Sequence, residues 1–305
     1  MVVVTEQLSK WYGQVSGLND VSVSVPAGIT GLLGPNGAGK STFLKLVTGQ
    51  LKPNKGTLRV LGEPIWGNHR LFARIGVCPE QDAFYERMTG AEWVSALVRL
   101  NGLSEAAAAE ATRAALEKVD LVEAAGKKIG AYSKGMRQRV KLAQAIALDP
   151  ELLILDEPLN GMDPIQRRRT IALVRDWAAA GRSVIVSSHV LHEIEALTSN
   201  VLVINNGRIA AEGDVHQIRS LIDRFPHTIS IRTPEPRRLA RALLDEPGVV
   251  AIRFEPTGLV VDTSEPDGFY TRITLLAASG EAGVVDELTS PDDNLQAVFN
   301  YLVKP

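Results

Sequence analysis

Runs of consecutive apolar residues alternate with longer helical patterns along much of this chain of 305 residues. Four of these runs are predicted to be strands: Ile29–Leu33, Leu152–Leu155, Ser183–Val186 and Val201–Ile204. Uninterrupted apolar character is typical of parallel strands that helices cover on both faces, whereas a half-exposed strand alternates apolar and polar positions. The pattern therefore predicts an α/β fold. The longest runs fall far short of the roughly 20 residues that cross a bilayer, so no membrane span is expected.

Two stretches depart from this pattern. Residues from about 83 to 147 are predicted to be helical, with Ser104 as the N-cap of an alanine-rich helix, and we interpret them as a helical insertion. After Phe225-Pro226 the order becomes strand, helix, strand, strand, helix, strand, which suggests a small ferredoxin-like α+β domain. Its predicted elements are Thr228–Arg232, Pro236–Leu244, two strands around Pro256-Thr257-Gly258, Asp267–Ala278, Gly283–Leu288 and a last helix at Asn294–Leu302.

These changes of pattern predict one large domain over residues 1–225 and an accessory domain over residues 226–305. No glycine loop or cluster of metal ligands is present after Pro226. A stabilising or dimerising role for the accessory domain is therefore favoured over regulation or ligand sensing.

Composition and charge narrow the class of protein. With 45% hydrophobic and 22% charged residues the chain is typical of a folded globular protein, and a net charge of -2 provides no general attraction to nucleic acid or anionic lipid. Cys78 is the single cysteine, so an internal disulfide is excluded and a reducing cytoplasm fits best. The N-terminus has no basic region ahead of its valines, so no secretory signal is expected.

An octapeptide between a predicted strand and a predicted helix fills the pattern G-x-x-x-x-G-K-[ST]: Gly34-Pro35-Asn36-Gly37-Ala38-Gly39-Lys40-Ser41. Its glycines let backbone N–H groups point at phosphates, and the helix that continues with Thr42 adds positive potential at its N-terminus. Lys40 is placed to reach the β and γ phosphates, and the Ser41 hydroxyl is placed to ligate magnesium. The loop predicts nucleotide binding but leaves kinases, small GTPases and many ATPases open.

Two adjacent acids, Asp156 and Glu157, follow the apolar run Leu152–Leu155. Ligands of α/β proteins bind at the carboxyl ends of the strands, and two neighbouring carboxylates there call for a compensating cation. Asp156 is predicted to hold magnesium, and Glu157 to accept a proton from, or orient, the water that attacks the γ phosphate. This pair indicates a hydrolase more than a small-molecule kinase.

A third segment lies between these motifs: Tyr132-Ser133-Lys134-Gly135-Met136-Arg137-Gln138-Arg139. It resembles the signature segment of ATP-binding cassette (ABC) proteins, whose common form is L-S-G-G-Q; only Ser133 and Gly135 match. The YSKGM variant is similar to the drug- and polysaccharide-export branch. Ser133 is also a good helix N-cap, so the segment presents a second helix N-terminus that can face an anion. The resemblance implies that Ser133 and Gly135 complete the ATP site of a partner subunit in a head-to-tail dimer.

The same resemblance, which covers the chain from Met1 to about His216, implies roles for further residues. Tyr12 corresponds to the aromatic residue that stacks on adenine, Asp163 to the loop that contacts the opposite subunit, and His189 to the switch histidine that senses the γ phosphate. The family's glutamine loop ends a strand with Pro-Gln, but here the order is Pro79-Glu80-Gln81. Position favours Glu80 and chemistry favours Gln81 as the residue that touches magnesium and the attacking water, and both remain open.

Taken together, the resemblance implies the fold of a P-loop NTPase of the ABC type and a magnesium-dependent ATPase. We expect the chain to power a separate transmembrane permease, in export, from the cytoplasmic face of the cell membrane. It would act as a homodimer, or as a heterodimer with a related cassette, with ATP at the interface. An importer motor is one alternative. Another is a soluble ABC ATPase acting on nucleic acid or ribosomes, but such relatives carry two cassettes or a long coiled-coil insertion, so no nucleic-acid partner is expected.

Overall fold

The computed structural model describes residues 1–220, 226–281, 283–291, 295 and 299. The chain divides into two compact units, Met1–Gly213 and Asp214–Pro305. The boundary predicted between residues 225 and 226 adjoins residues 221–225, which lie outside the described ones, so it stays a prediction. The predicted last helix, Asn294–Leu302, also lies outside them except for Leu295 and Phe299.

The first unit contains ten strands and seven α-helices among its described residues. The strands are β1 (Val3–Tyr12), β2 (Val15–Val25), β3 (Ile29–Leu33), β4 (Lys55–Val60), β5 (Glu63–Pro64), β6 (Ile75–Cys78), β7 (Leu152–Asp156), β8 (Ser183–Ser187), β9 (Asn200–Asn205) and β10 (Arg208–Asp214). The helices are α1 (Lys40–Val47), α2 (His69–Phe72), α3 (Gly90–Leu100), α4 (Glu105–Lys118), α5 (Lys134–Ile146), α6 (Pro164–Ala179) and α7 (Leu191–Glu195). The last residue of β10, Asp214, is the first of the second unit.

A six-stranded sheet in the order β10-β9-β3-β8-β7-β6 forms the centre of this unit. Strand β3 pairs in parallel with β8 and β9, and β7 pairs in parallel with β6 and β8. Residues Leu152–Leu155 of β7 are at most 1% exposed, as expected for a strand with helices on both faces. The four predicted strands and the α/β fold class are thus confirmed. Parallel neighbours end at the same edge, so the residues after β3, β7 and β8 converge there.

A second sheet, in the order β2-β1-β4-β5, is antiparallel and was not predicted. Along β2 the valines Val21, Val23 and Val25 are buried whereas Ser22 and Ser24 are exposed, which is the alternation of a sheet with one face on a core. The buried valines join one apolar core with residues of β3, α1 and β7. This sheet carries Tyr12 at the end of β1.

The predicted helical insertion contains α3, α4 and α5, which pack against one another, while α5 also packs on β6. Ser104 is the N-cap of α4 as predicted, since its Oγ accepts a hydrogen bond from the N–H of Ala107 at 3.3 Å. Helix α3 begins with a capping box in which Thr89 and Glu92 exchange hydrogen bonds. Both caps satisfy backbone N–H groups that a helix start leaves without partners.

The second unit contains α8 (Val215–Ser220), β11 (His227–Arg232), α9 (Pro236–Leu243), β12 (Val249–Glu255), β13 (Gly258–Thr263), α10 (Pro266–Ser279) and β14 (Glu287–Thr289). Its strands form an antiparallel sheet in the order β12-β13-β11-β14. This order together with the βαββαβ sequence of elements after α8 is that of a ferredoxin-like fold, as predicted.

One predicted strand of this unit was misplaced. The strand expected at Gly283–Leu288 begins only at Glu287. Gly283 has a φ of +73° and its N–H donates to the carbonyl of Gly280, so the chain is still turning at that point. The turn delays the pairing with β11 until Glu287, which lies opposite Arg232.

Helices α9 and α10 cover one face of this sheet with apolar side chains. Leu239 and Leu243 of α9, with Phe269 and Ile273 of α10, are at most 3% exposed and belong to a core with the buried residues of β11 and β13. The next residue, Leu244, is 67% exposed. Two adjacent leucines therefore differ almost completely in burial.

This difference provides a matched test of the core. Leu243→Ala should lower the free energy of unfolding of the second unit by about 2–5 kcal/mol, because it leaves a cavity, whereas Leu244→Ala should change it by less than about 0.5 kcal/mol. Urea titration followed by far-ultraviolet circular dichroism measures both. Equal effects of the two substitutions would show that α9 does not pack as described.

Candidate active site

The phosphate-binding loop connects the end of β3 at Leu33 to the start of α1 at Lys40. Gly39, the N-cap of α1, has a φ of +112°, and a Cβ atom there would lie 2.6 Å from the carbonyl oxygen of Gly17. A Cβ on Gly34 would lie 2.2 Å from the carbonyl oxygen of Ile204. Side chains are therefore excluded at both positions, and the backbone can curl closely in front of the helix.

Lys40 extends across this loop. Its Nζ donates to the carbonyl oxygens of Gly34 at 2.6 Å and of Pro35 at 3.2 Å. Burial lowers the pKa of Lys40, and the neighbouring carboxylates of Glu157 and Asp156 act in the opposite direction. A half-buried ammonium with only carbonyl partners is well placed to exchange them for an anion, since charge-assisted hydrogen bonds are the stronger ones.

The two acids lie at the carboxyl end of β7, next to the end of β8. The Ser187 hydroxyl donates to Asp156 Oδ1 and the Ser187 carbonyl accepts from the N–H of Glu157 at 3.1 Å. Burial raises the pKa of Asp156, against the effect of the Ser187 hydrogen bond. Glu157 has a φ of +50°, a strained conformation for a non-glycine residue, and its carbonyl accepts from Gln138 Nε2 at 3.1 Å.

Glu157 and His189 form a close pair across the cleft. His189 Nδ1 lies 2.8 Å from Glu157 Oε2. Glu157 is 8% exposed, whereas the side chain of His189 is 58% exposed. Burial raises the pKa of Glu157, and the hydrogen bond with His189 opposes that shift. The pair joins a buried carboxyl to a solvent-facing imidazole, an arrangement suited to holding a water molecule and accepting its proton.

One cleft of about 420 Å³ brings these groups together. The predicted residues that line it are Tyr12, Pro35, Asn36, Gly37, Gly39, Lys40, Ser41, Thr42, Glu80, Asp156, Glu157 and His189. Val15, Ser16 and Gly17, which were not predicted, also line it. Tyr12 is 46% exposed at one side, and its hydroxyl lies 3.4 Å from Thr42 Oγ1. The lining thus combines the ammonium of Lys40, the N-terminus of α1 and the exposed aromatic ring of Tyr12.

Comparison with known proteins shows the family of the chain. A family model described as ABC transporter matches residues 18–160. An uncharacterised ABC transporter ATP-binding protein of Bacillus subtilis, YxlF, is 38% identical over 251 residues, which cover 82% of this chain and 82% of that protein. The chain belongs to the ABC transporter ATP-binding proteins. As such it is an ATP-hydrolysing transporter subunit, as the sequence predicts.

Two further comparisons support the family. The daunorubicin/doxorubicin resistance ATP-binding protein DrrA of Streptomyces peucetius is 33% identical over 268 residues, which cover 87% of this chain and 81% of that protein. A solved structure of the ATP-binding subunit of an ABC transporter matches with a TM-score of 0.67 at 29% identity and covers 72% of this chain and 93% of that one.

Within the described part of the chain, no helix is long and apolar enough to cross a membrane.

The segment predicted to be the ABC signature, residues 132–139, is not among the residues that line this chain's own cleft. Ser133 is the N-cap of α5, where its Oγ accepts from the N–H of Met136 at 3.3 Å, and Gly135 faces the carbonyl of Gly161. Asp163 is the N-cap of α6, and its Oδ1 accepts from the N–H groups of Ile165 at 2.9 Å and Gln166 at 3.0 Å. These hydrogen bonds, that of Gln166 first, lower the pKa of Asp163. The N-cap role of Ser133 is the one that the sequence predicts, whereas that of Asp163 was not predicted.

Three other predicted residues do not line the cleft either. The N–H of Ala38 donates to the Pro35 carbonyl at 3.1 Å, and the Ala38 carbonyl accepts from the N–H of Gly207 at 2.8 Å. Both backbone groups of Ala38 are therefore engaged within the protein. Gly34 is packed under Ile204. Gln81 is exposed and does not line the cleft, whereas Glu80 does. The backbone carbonyl of Glu80 accepts a hydrogen bond from Lys141 Nζ at 2.7 Å. Of the two candidates for the glutamine-loop position, only Glu80 is at the cleft.

Two residues that hold the site were missed by sequence reasoning. Ser187 touches both acids, but its proximity depends on the parallel register that places it opposite Asp156. Gln138 belongs to the signature segment and holds the carbonyl of Glu157, 19 residues away. A polar residue ending an apolar run was the only available signal for Ser187, and nothing local pointed to Gln138.

The donor set fits a magnesium nucleotide better than a metal held by protein alone. Among the described residues, no group of three or more His, Cys, Asp or Glu side chains could hold a metal ion. Magnesium in nucleotide sites usually has one or two protein ligands and takes the others from phosphates and water. Ser41 and Asp156, both at the cleft, are sufficient for that mode.

The close approach at Gly39 gives a test of the loop. Gly39→Ala should weaken ATP binding at least about tenfold, because the added Cβ meets the Gly17 carbonyl and moves the backbone that surrounds the phosphates. Gly28→Ala is the matched control, since Gly28 has a similar φ of +97° but no atom within 4 Å of the added Cβ. Its strain should cost about 1–2 kcal/mol of stability without affecting ATP affinity. Fluorescent-nucleotide titration separates the two, and equal affinities would contradict the close approach.

Proposed function

We propose that this chain is the motor subunit of an ABC exporter, which hydrolyses Mg-ATP on the cytoplasmic face of the membrane and drives a separate permease. The observation that carries the proposal is the single cleft in which Lys40 and its loop face Asp156, Glu157 and His189. This combination supplies groups that bind phosphates and groups that activate water. Hydrolysis needs both, whereas binding alone needs only the former.

Nucleotide binding is assigned to the loop and to the side of the cleft. The N-terminus of α1 and the backbone N–H groups of the loop other than that of Ala38 are assigned to the phosphates, and Lys40 exchanges its two carbonyl acceptors for phosphate oxygens. The exposed ring of Tyr12 offers a stacking surface for adenine. The hydroxyl of Thr42, 3.4 Å from the Tyr12 hydroxyl, connects the ring to the loop.

Ser41 and Asp156 are the residues that would hold magnesium, and Glu80, which lines the same cleft, is a further candidate. When bound, the ion neutralises charge on the phosphate oxygens as the γ-phosphoryl group departs. Its positive charge also suits a carboxyl whose pKa is raised by burial, because a nearby cation favours the ionised form. Glu80 is preferred over Gln81 here because only Glu80 lines the cleft.

Glu157 is assigned the role of general base. Its carboxylate accepts a proton from, or orients, a water molecule whose oxygen forms a bond to the γ-phosphorus while the bond to the β-phosphate oxygen breaks. His189 fixes the orientation of Glu157 through the 2.8 Å contact and presents its exposed ring toward the γ phosphate. A base with a raised pKa takes up the proton more readily, provided that it is ionised when water attacks.

A dimer, with identical or related partners, is proposed because the signature segment and Asp163 stand apart from the cleft of their own chain. The two segments are adjacent: Lys134 Nζ donates to Asn160 Oδ1 at 3.0 Å, and Gly135 lies against Gly161. The two segments therefore form one surface, which contains the N-termini of helices α5 and α6. A second chain would place this surface over the γ phosphate, so that Ser133, Gly135 and Asp163 complete its site.

Export is proposed as the direction of transport, and nucleic acid is not proposed as a partner. The relative DrrA is named for drug resistance and is 33% identical over most of the chain. The YSKGM segment is similar to that of the export branch. The net charge of -2 provides no general attraction to nucleic acid.

Glu157→Gln is the decisive variant for this function. The amide cannot accept the proton from water, so ATP turnover should fall at least about 100-fold, while ATP affinity stays within about threefold and a nucleotide-bound dimer accumulates. Phosphate release and size-exclusion chromatography in the presence of ATP measure these outcomes. Glu151→Gln, at the residue just before this strand, is the control and should keep full turnover.

A general loss of folding can be separated from a loss of chemistry. A raised pKa means that the ionised Glu157 is less favoured in the folded than in the unfolded chain, so the carboxylate costs stability at pH 8 and this cost disappears as the pH falls below the unfolded value. The Gln variant should therefore be at least as stable as the unaltered protein at pH 8. Undiminished turnover by Glu157→Gln would remove Glu157 from its role.

A further inference from the structure

Glu193 is a buried acid near the cleft that has no role in the function described so far. It lies in α7, four residues after His189, and is 5% exposed. It is not among the residues that line the cleft, so it cannot touch the nucleotide there. A buried carboxylate is retained in a fold only with good partners, and its partners indicate what it holds in place.

One oxygen of Glu193 is connected to the residues on both sides of His189. Ser188 Oγ donates to Glu193 Oε2 at 2.8 Å and accepts from the N–H of Val190 at 3.0 Å. Ser188 is itself 2% exposed, so water does not compete for these bonds. The hydroxyl thus fixes the backbone immediately before and after His189, and the Glu193 carboxylate determines which way that hydroxyl points.

The other oxygen of Glu193 is paired with α6. Arg167 Nη1 lies 3.2 Å from Glu193 Oε1. Arg167 is one turn after Asp163, and its N–H donates to the Asp163 carbonyl at 2.9 Å. The carboxylate therefore connects the His189 segment to the first turn of the helix that begins at Asp163.

We propose that Glu193, held by Arg167, is a positioning residue that keeps His189 within hydrogen-bond reach of Glu157. This proposal rests on the role in hydrolysis proposed above for His189. The side chain of His189 is 58% exposed and contacts Glu157 Oε2 at 2.8 Å, and the Glu157 carboxylate also accepts a hydrogen bond from the His189 backbone, so the placement of the ring depends on the backbone that carries it. Without Glu193 the segment can adopt other conformations, and a smaller fraction of molecules has His189 in place.

The same arrangement predicts that loss of Glu193 slows ATP hydrolysis and leaves nucleotide binding unchanged. Lys40, the loop and Tyr12 do not contact Glu193, so nucleotide affinity does not depend on it. Turnover does, because it requires His189 and Glu157 to be paired when water attacks. A loss confined to kcat separates positioning of His189 from a general structural role.

The experiment compares full-length variants in steady-state ATP hydrolysis and in fluorescent-nucleotide titration. Glu193→Ala should lower kcat at least about tenfold while nucleotide affinity changes less than about twofold. In Glu193→Gln the side-chain oxygen can still accept the hydrogen bond from Ser188, so kcat should fall less than in Glu193→Ala. Arg167→Met leaves the Glu193 carboxylate without its cationic partner, and its kcat should lie between those of the unaltered protein and Glu193→Ala. If Glu193→Ala does not fold, these two variants carry the test.

A double-mutant cycle identifies the residue through which Glu193 acts. In a His189→Ala background, Glu193→Ala should cause no further loss of kcat, since the residue it positions is gone. Arg272→Met, which removes a comparable ion pair with Glu246 in the second unit, is the control and should leave kcat unchanged. The His189 imidazole signal in nuclear magnetic resonance spectra should shift in Glu193→Ala but not in Arg272→Met.

Several results would overturn the proposal, and they differ from those that would overturn the proposed function. Unchanged kcat in a folded Glu193→Ala, or equal losses of kcat and nucleotide affinity, would exclude positioning while leaving the role of His189 intact. An additive loss in the His189→Ala background would show that Glu193 acts elsewhere. If His189→Ala itself kept full turnover, the proposed role of His189 in hydrolysis and the positioning role would both be wrong.

Discussion

Burial of opposite charges at one edge of the central sheet is the constraint on which the candidate site depends. Burial raises the pKa values of Asp156 and Glu157 and lowers that of Lys40, so each charged form is disfavoured in the protein alone. A ligand with both anionic oxygens and a divalent cation compensates two of these charges at once: the anion pairs with Lys40 and the cation with Asp156. Mg-ATP is such a ligand, and the charge arrangement thereby favours the ligand-bound state.

The surrounding fold keeps these groups in place at some conformational cost. Glu157 adopts a left-handed backbone conformation, and Gly39 adopts one that leaves no space for a side chain. Hydrogen bonds from Ser187 and Gln138 hold the segment that contains Asp156 and Glu157. Hydrogen bonds of Ser188 with Glu193 and Val190 hold the backbone around His189. Because the first two partners come from β8 and α5, a change in either element can alter the acids without touching the nucleotide.

The sequence predicted what depends on local pattern. The continuous apolar runs identified β3, β7, β8 and β9, and the octapeptide from Gly34 to Ser41 identified the loop, because both patterns are short and have a direct physical cause. The order of strands in the sheet, and hence the meeting of Ser187 with Asp156, depends on long-range pairing. The antiparallel sheet of β1 and β2 was missed, although its alternation is present in the sequence.

Other features could not be separated by sequence alone. Glu80 and Gln81 are adjacent in the chain and both suit the chemistry, so only the position of Glu80 at the cleft distinguishes them. Ser133 and Asp163 are helix caps in their own chain, and a cap is compatible with any role at a second surface. For Gly283 the expected strand gave way to a turn, since one glycine with positive φ outweighs a short apolar run.

Binding of Mg-ATP to the purified full-length chain tests the central claim most directly. Isothermal titration calorimetry should show binding that Lys40→Ala weakens at least about tenfold, since the ammonium assigned to the phosphates is removed. Lys52→Ala, which removes an exposed lysine after the same helix, is the control and should bind ATP as the unaltered chain does. Equal affinities of the unaltered chain and Lys40→Ala, or no binding by either, would contradict the account.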